Sequence, residues 1–254
     1  MVQTIIKPTI ILMAITFFSA FVLSHLYKIT RPNIDRQAKE KQKKALQIVL
    51  PGYTIDSEKG KRSVKVGAKT LKFWIASKKI TEEKTRKEKI INAYAFIASM
   101  PGYSGDLVSM VGVDQKGKVL GISILQQSET PGLGAKCIEV ASKVTFFGFL
   151  FGPAAKSGGK VIPWFQDQFT GLKLTEKIKL VKKGNWNPSM RESLLKKNAI
   201  SSITGSTITS RAVSDSLEKG YGLLKKALKK LENKKQDNKE EKNTTIKNNK
   251  EQKQ

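Results

Sequence analysis

Residues 107–125, LVSMVGVDQKGKVLGISIL, set two runs rich in β-branched residues on either side of a short turn. LVSMVGV (107–113) and KVLGISIL (118–125) read as strands. DQKG (114–117) reads as the hairpin turn, its glycine free to take a positive φ. Both runs are apolar at nearly every position, which predicts strands lying centrally in an antiparallel sheet covered on both faces. With helical patterns before and after it, the hairpin makes the fold class α+β.

Toward the C-terminus, QQSETPGLGAK (126–136) is a Pro/Gly loop, followed by a short helix expected from Ala135 to Val144. The apolar run in TFFGFLFGPAAKSGG (145–159) is far too short to cross a bilayer, which leaves burial in a core, burial against a neighbouring chain or contact with a membrane interface. WFQDQFTGLKL (164–174) reads as a turn or helix and IKLVKKGNW (178–186) as a further strand. RAVSDSLEKGYGLLKKALKKLENKK (211–235) is helical, with Ala212, Val213, Leu217, Tyr221, Leu224 and Leu228 on one face. From 233 to 254 the chain is Lys, Asn, Gln and Glu with almost nothing apolar, so a disordered tail is expected there.

Toward the N-terminus, residues 53–92 are lysine-rich with weak alternation, as in SVKVGAKTLKFWIA (63–76), and are expected to form strands and turns at the domain edge. Before them, ITRPNIDRQAKEKQKKALQIVLPGY (29–53) predicts a juxtamembrane helix that ends at Pro51-Gly52. Between Lys7 and Lys28 lie 20 uncharged residues, PTIILMAITFFSAFVLSHLY. As a helix they extend about 30 Å, the hydrocarbon thickness of a bilayer. The run exceeds a signal-peptide core and no small-x-small cleavage site follows, so 1–28 is read as a retained anchor, transmembrane over about 8–27. Lys28, Arg31, Arg36, Lys39, Lys41, Lys43 and Lys44 follow the span, against Lys7 before it; by charge alone the bulk of the chain would face the cytoplasm.

Composition removes several function classes. The net charge of +26 would suit nucleic acid or an anionic surface, but the lysines are spread along the chain and aromatics make up only 7%. No helix-turn-helix, zinc-knuckle or RNP-like pattern converts the charge into recognition, so no nucleic-acid partner is expected. The single cysteine, Cys137, excludes an intrachain disulfide and a cysteine cluster for metal. The single histidine, His25, lies in the apolar run, so no Ser–His or Cys–His pair is expected, and no catalytic residue or metal ligand is assigned. Redox activity, if present, must come from a cofactor.

The stretch SSITGSTITS (201–210) is mostly hydroxyl residues around one glycine, directly ahead of the C-terminal helix. Thr209 or Ser210 is expected to cap that helix. A phosphate site is a second reading, with Gly205 admitting a close backbone approach and the helix N-terminus offering N–H groups. Nucleophilic catalysis by Ser or Thr lacks a base and a G-x-S-x-G elbow.

These residues carry a resemblance. Thr204-Gly205-Ser206-Thr207, continued by Ile208-Thr209-Ser210, resembles the S/T-G-A-T-x-T-S flavinylation motif of the G subunit of Rnf-type electron-transport complexes. The same motif occurs in the C subunit of the sodium-pumping NADH:quinone reductase. Glu129-Thr130-Pro131-Gly132-Leu133-Gly134 resembles the ETPGLG loop of the same FMN-binding domain, and Trp164 and Phe169, here with four residues between them, resemble its W-x-x-x-F element. Together they cover roughly 95–222, so the resemblance divides the chain into anchor (1–28), juxtamembrane helix and domain edge (29–94), FMN-binding domain with C-terminal helix (95–232) and tail (233–254).

The resemblance implies FMN held covalently, through a phosphoester, by Thr207. Thr204, Gly205 and Ser206 would hold the phosphate end, and Glu129 to Gly134 would approach the isoalloxazine or ribityl part. Thr209 is the fallback acceptor. It further implies a subunit of an inner-membrane complex that couples ferredoxin and NAD to ion movement, other membrane subunits as partners, and a separate flavin transferase that uses FAD. It places the flavin domain outside the cytoplasm, opposite to the charge count. The sodium-pumping C subunit, a stand-alone flavinylated protein and a basic membrane scaffold with an unmodified motif are the alternatives. Two positions depart from the pattern: Ser206 stands for the usual Ala, and Ser201 stands where the motif often has Asp.

Overall fold

The computed structural model describes residues 2–55, 60–67, 69–81, 88–139, 163–182 and 187–251. The chain divides into two compact units, Met1–Lys44 and Ala45–Gln254. The first lies within a helix, α1 (Val2–Val49), whose apolar side chains from Ile10 to Leu26 are exposed, Phe17 at 74%. Among the described residues this is the one helix long and apolar enough to cross a membrane. A run of bare Ile, Leu and Phe with no protein against it is stable in hydrocarbon and costly in water.

The second unit is built on a five-stranded antiparallel sheet in the order β1 (Lys61–Val66), β2 (Lys69–Thr81), β3 (Glu88–Pro101), β4 (Asp106–Asp114), β5 (Val119–Gln126). The expected hairpin is β4–β5. Asp114 accepts the Lys116 and Lys118 N–H groups, both at 2.8 Å, and closes its turn. Its place differs from the expectation in one respect: β5 is an edge strand. Residues 171–174 cover the start of that edge through Val119 N–H to Leu172 O and Gly171 N–H to Val119 O, each 2.8 Å. The middle of the sheet is β3, so 53–92 runs from the edge strand β1 into the centre, and a boundary at 95 would cut a central strand. The 53–92 stretch looks peripheral in sequence because its lysines alternate with small apolar residues instead of forming a solid apolar run.

Strand alternation sends side chains to two cores. Phe73, Phe96, Val111, Val113 and Ile122 face one side, where they meet helix α4 (Thr207–Glu251) through Val213, Leu217, Tyr221 and Leu224. Trp74, Ala76, Ala93, Ala95 and Met110 face the other, under the last residues of α1, Ala45, Leu46, Val49 and Leu50. That second contact depends on Gly112 and Gly121, which pair across β4–β5. A Cβ on Gly112 would lie 2.0 Å from the Val49 carbonyl oxygen, so only glycine lets the helix end rest on the sheet.

Between β5 and α4 come a 3₁₀ turn (Gly134–Ile138), α2 (Trp164–Asp167), β6 (Lys179–Val181), α3 (Arg191–Lys196) and β7 (Ala199–Ser201), with β6 and β7 paired in parallel. The expected helix from Ala135 is this shorter turn; its continuation and 145–159 lie outside the described residues. The C-terminal helix runs to Glu251, well past Asn233, where disorder was expected. A helix nucleated by the packed face of 212–228 needs only propagation beyond it, and Lys, Glu and Gln lose little on entering a helix.

Candidate functional site

Two short turns with the same construction face each other across a cavity of about 440 Å³. In Thr130-Pro131-Gly132-Leu133, the Leu133 N–H donates to the Thr130 carbonyl (3.2 Å) and Gly132 has φ +74°. In Ile203-Thr204-Gly205-Ser206, the Ser206 N–H donates to the Ile203 carbonyl (2.9 Å) and Gly205 has φ +77°. Both are type II turns, which require a glycine-like third residue. Each opens a helix at once, the 3₁₀ turn in one case and α4 in the other. At the closest approach of the two turns, a Cβ on Gly205 would lie 3.1 Å from Leu133 Cδ2.

A buried carboxylate joins them. Glu129, 5% exposed, accepts the Tyr103 N–H at 2.8 Å and the Ser104 N–H at 3.2 Å on Oε1, and the Thr209 hydroxyl at 2.6 Å on Oε2. One side chain therefore ties together the loop before β4, the ETPGLG loop and the first turn of α4. It fits because both walls beside it are glycine. A Cβ on Gly102 would lie 2.2 Å from Oε1, and one on Gly134 2.5 Å from Oε2.

Two glutamines brace the turns from behind. Gln166 donates to the Cys137 carbonyl at 3.0 Å and steadies the 3₁₀ turn. Gln168 accepts the Ser201 N–H at 2.8 Å and donates to its carbonyl at 3.4 Å, which holds the strand entering the second turn. Both are buried, on the α2 segment where Phe165 and Phe169 pack edge to face at 5.4 Å.

The cavity is lined by Glu129, Thr130, Leu133, Gly134, Gly205, Ser206, Thr207 and the fallback acceptor Thr209 among the residues expected there. Pro131, Gly132 and Thr204 are exposed turn residues outside the lining; they shape the two turns. Tyr103 and Ile208 line it without having been anticipated, although an aromatic between two glycines in PGYSGD is a legible sign of a presented side chain. Trp164 is not part of the lining, and Phe169 is core.

The helix begins at Thr207, ahead of both expected caps, two residues before Thr209 and three before Ser210. Ser210 acts instead inside the first turn, accepting the Ile203 N–H at 2.9 Å and donating to the Ser206 carbonyl at 3.0 Å. Thr209 is 1% exposed with its hydroxyl committed to Glu129, so it is not available as a fallback acceptor. Thr207 is half-buried in the cavity wall, and its hydroxyl makes no hydrogen bond among the described residues. As the first helical residue it stands where α4 leaves its initial N–H groups without intrahelical partners. Those groups and the positive end of the helix dipole suit a phosphate. Ser201 is buried at 1% and outside the lining.

Cys137 does not add reactivity. Burial first, and the Glu129 carboxylate second, push its thiol up to about 12, so it stays protonated. Among the described residues no group of His, Cys, Asp and Glu could hold a metal.

The FMN-binding domain profile matches residues 102–222, which contain both turns, Glu129 and Thr207. The G subunit of the ion-translocating oxidoreductase complex of Haemophilus influenzae is 31% identical over 177 residues, 65% of this chain and 80% of the relative. This chain belongs to the G-subunit family of ion-translocating oxidoreductase complexes. A further G subunit, from the Na(+)-translocating ferredoxin:NAD(+) oxidoreductase complex of Acetobacterium woodii, is 34% identical over 112 residues, 44% of this chain and 39% of the relative. A solved structure, the C subunit of the Na(+)-translocating NADH-quinone reductase of Parabacteroides distasonis, aligns over 73% of this chain and 92% of its own at 20% identity and a TM-score of 0.40. The site suits the cofactor that the family's domain is named for. It offers a phosphate-compatible helix start, a glycine turn that admits close approach and an apolar rim.

Proposed function

We propose that this protein carries FMN in phosphoester linkage to Thr207 and relays electrons within a membrane complex that couples ferredoxin and NAD chemistry to ion translocation. The observation that carries the reading is Thr207 itself: an accessible, uncommitted hydroxyl on the first residue of α4, inside the cavity. Bound FMN supplies one- and two-electron chemistry that no side chain here provides. Thr207 and the α4 N-terminus hold the phosphate end, Gly205 keeps that approach open, and Glu129, in the cavity lining, fixes the walls.

Attachment forms a bond from Thr207 Oγ1 to the flavin-side phosphorus of FAD, breaks the pyrophosphate bond and releases AMP. The hydroxyl proton needs a base. The carboxylate lining the cavity, Glu129, already accepts three hydrogen bonds, so the base belongs to a separate flavin transferase. The α1 helix anchors the chain in the membrane beside other subunits, with the flavin domain on the extracytoplasmic side where such a transferase acts. Ser201, which stands where the motif often has Asp, is buried and lies outside the cavity lining.

The test is the intact mass of the full chain co-expressed with a flavin transferase, for wild type and Thr207→Ala. Wild type gains one FMN less one water, and Thr207→Ala gains nothing. An unmodified wild type, or equal flavin in the variant, overturns the assignment.

A further inference from the structure

Among the described residues, the large apolar side chains exposed on the second unit are Ile90, Tyr103, Leu133, Ile138 and Ile208. Three of the five, Tyr103, Leu133 and Ile208, line the cavity between the turns. Scattered single exposures need no explanation, but convergence of three on a concave site marks a surface meant to be covered. They come from three different segments: the turn before β4, the 130–133 turn and the start of α4. Tyr103 is the most exposed, at 72%, and among the described residues the only aromatic in the lining.

The ring is exposed, but the backbone that carries it is held. The Tyr103 and Ser104 N–H groups both bond to Glu129 Oε1, and the Gly102 N–H donates to the Gly105 carbonyl at 2.8 Å. The Ser104 and Thr130 hydroxyls meet at 3.3 Å. The same carboxylate that positions Thr209, and with it the α4 first turn, thus sets the backbone under Tyr103. One buried carboxyl group thus sets the backbone bearing an aromatic relative to the phosphate-compatible end of a helix. A ligand with an anionic end and a flat, conjugated, largely apolar end matches that pairing.

We propose that Tyr103 is a positioning residue that stacks on the isoalloxazine plane, with Leu133 and Ile208 as the facing apolar rim. This rests on the reading that FMN is joined to Thr207, and it adds where the ring system goes. The anionic end lies at Thr207 and Gly205, while the ring leans across the cavity mouth onto the 102–105 loop. Tyr103 lies outside the ETPGLG and flavinylation motifs but within 102–125, GYSGDLVSMVGVDQKGKVLGISIL, the stretch that resembles the hairpin leading into the ETPGLG loop.

The readout is flavin fluorescence, since a phenol or indole in contact with excited isoalloxazine quenches it by electron donation and an alkyl side chain does not. The full chain is co-expressed with the transferase as wild type, Tyr103→Trp and Tyr103→Leu. Mass spectrometry first confirms one FMN on each. At 72% exposure the residue contributes nothing to the core, so all three fold alike by circular dichroism. Emission per bound flavin stays low in wild type and Tyr103→Trp and rises several-fold in Tyr103→Leu, with a longer lifetime. In the Thr207→Ala background, where FMN binds without a covalent bond, Tyr103→Leu weakens the affinity for added FMN by about tenfold, the equivalent of ~1.4 kcal/mol of stacking. Equal emission from flavin-loaded wild type and Tyr103→Leu overturns the stacking while leaving Thr207 as the attachment site. A wild type that takes no FMN overturns both.

Discussion

Removing the Glu129 carboxylate should loosen the site from three directions at once, and the pattern across substitutions is specific. Glu129→Ala leaves the Tyr103 and Ser104 N–H groups and the Thr209 hydroxyl without their acceptor. A buried polar group left unpaired costs about 1–3 kcal/mol. The 103–104 loop is exposed, so water restores part of its loss, whereas Thr209 is buried at 1%. The expected net cost is about 2–4 kcal/mol. Glu129→Gln behaves differently because the geometry offers it a solution. Its carbonyl can accept from both backbone N–H groups while its NH₂ donates to Thr209, whose hydroxyl reverses to accept. Only the charge assistance is lost, about 1 kcal/mol. Thr209→Val removes the donor at nearly constant shape, and the Glu129→Ala/Thr209→Val cycle should show a coupling of about 1–2 kcal/mol. Urea unfolding of the detergent-solubilised chain measures these through the midpoint at constant slope, and hydrogen exchange reads the Tyr103 and Ser104 amides directly. Glu129→Gln as damaging as Glu129→Ala, or a coupling of zero, would refute the bracket.

Other outcomes follow from the same packing. Gly205→Ala must adopt φ +77° with its Cβ 3.1 Å from Leu133, which should cost about 1 kcal/mol and lower the yield of flavin attachment measured by mass. Gly112→Ala drives a Cβ to 2.0 Å from the Val49 carbonyl and should cost on the order of 3 kcal/mol, whereas Gly222→Ala, a helical position with nothing within 4 Å, should stabilise by about 0.5–1 kcal/mol. Both shifts are read from urea midpoints. The Cys137 thiol, held mainly by burial up to about 12 against an ordinary 9.0, favours the fold only while protonated. Its contribution is complete below pH 9 and lost as the pH rises toward 12, so the urea midpoint of Cys137→Ala should fall less steeply across that range than that of wild type. In the native protein at neutral pH the thiol should resist alkylation.

The hairpin at 107–125 was legible because its evidence is local: β-branched runs, an Asp-started turn and a glycine all lie within one short stretch. The C-terminal helix face was legible for the same reason. The central position of β3 was not, since strand order is decided by which side chains reach α4 and the end of α1, and those partners lie far away in sequence. Gly112 and Gly121 show the difficulty well. In the sequence they read as weak points in strands, and only the Val49 backbone lying on them explains their presence. The end of the helix was misread from composition, because a polar stretch without a core of its own still propagates from a helix that has one.

The site itself was half legible, for a reason that separates two kinds of residue. Turn glycines and a helix-initiating hydroxyl announce themselves, so Gly132, Gly205 and Thr207 stand out in the sequence. Glu129 stands out too but suggests a different task, because a carboxylate in a loop beside a ligand motif looks like a ligand contact. In the structure it lies in the cavity lining and is also hydrogen-bonded to the 103–104 loop and to the first turn of α4, so it joins the segments that form the walls. A purely apolar anchor under these turns would hold them together but would not set their angle. A carboxylate accepting two N–H groups on one oxygen and a hydroxyl on the other sets both distance and direction. Thr207 and Tyr103 are the side chains whose mutual geometry such a bracket determines, because one follows the turn that ends at Thr209's helix and the other sits on the loop held by Oε1. The paired type II turns supply the shape of the cavity, and Glu129 supplies its rigidity. A change that keeps the turns but frees the carboxylate should therefore leave flavin attachment possible while blurring where the flavin lies.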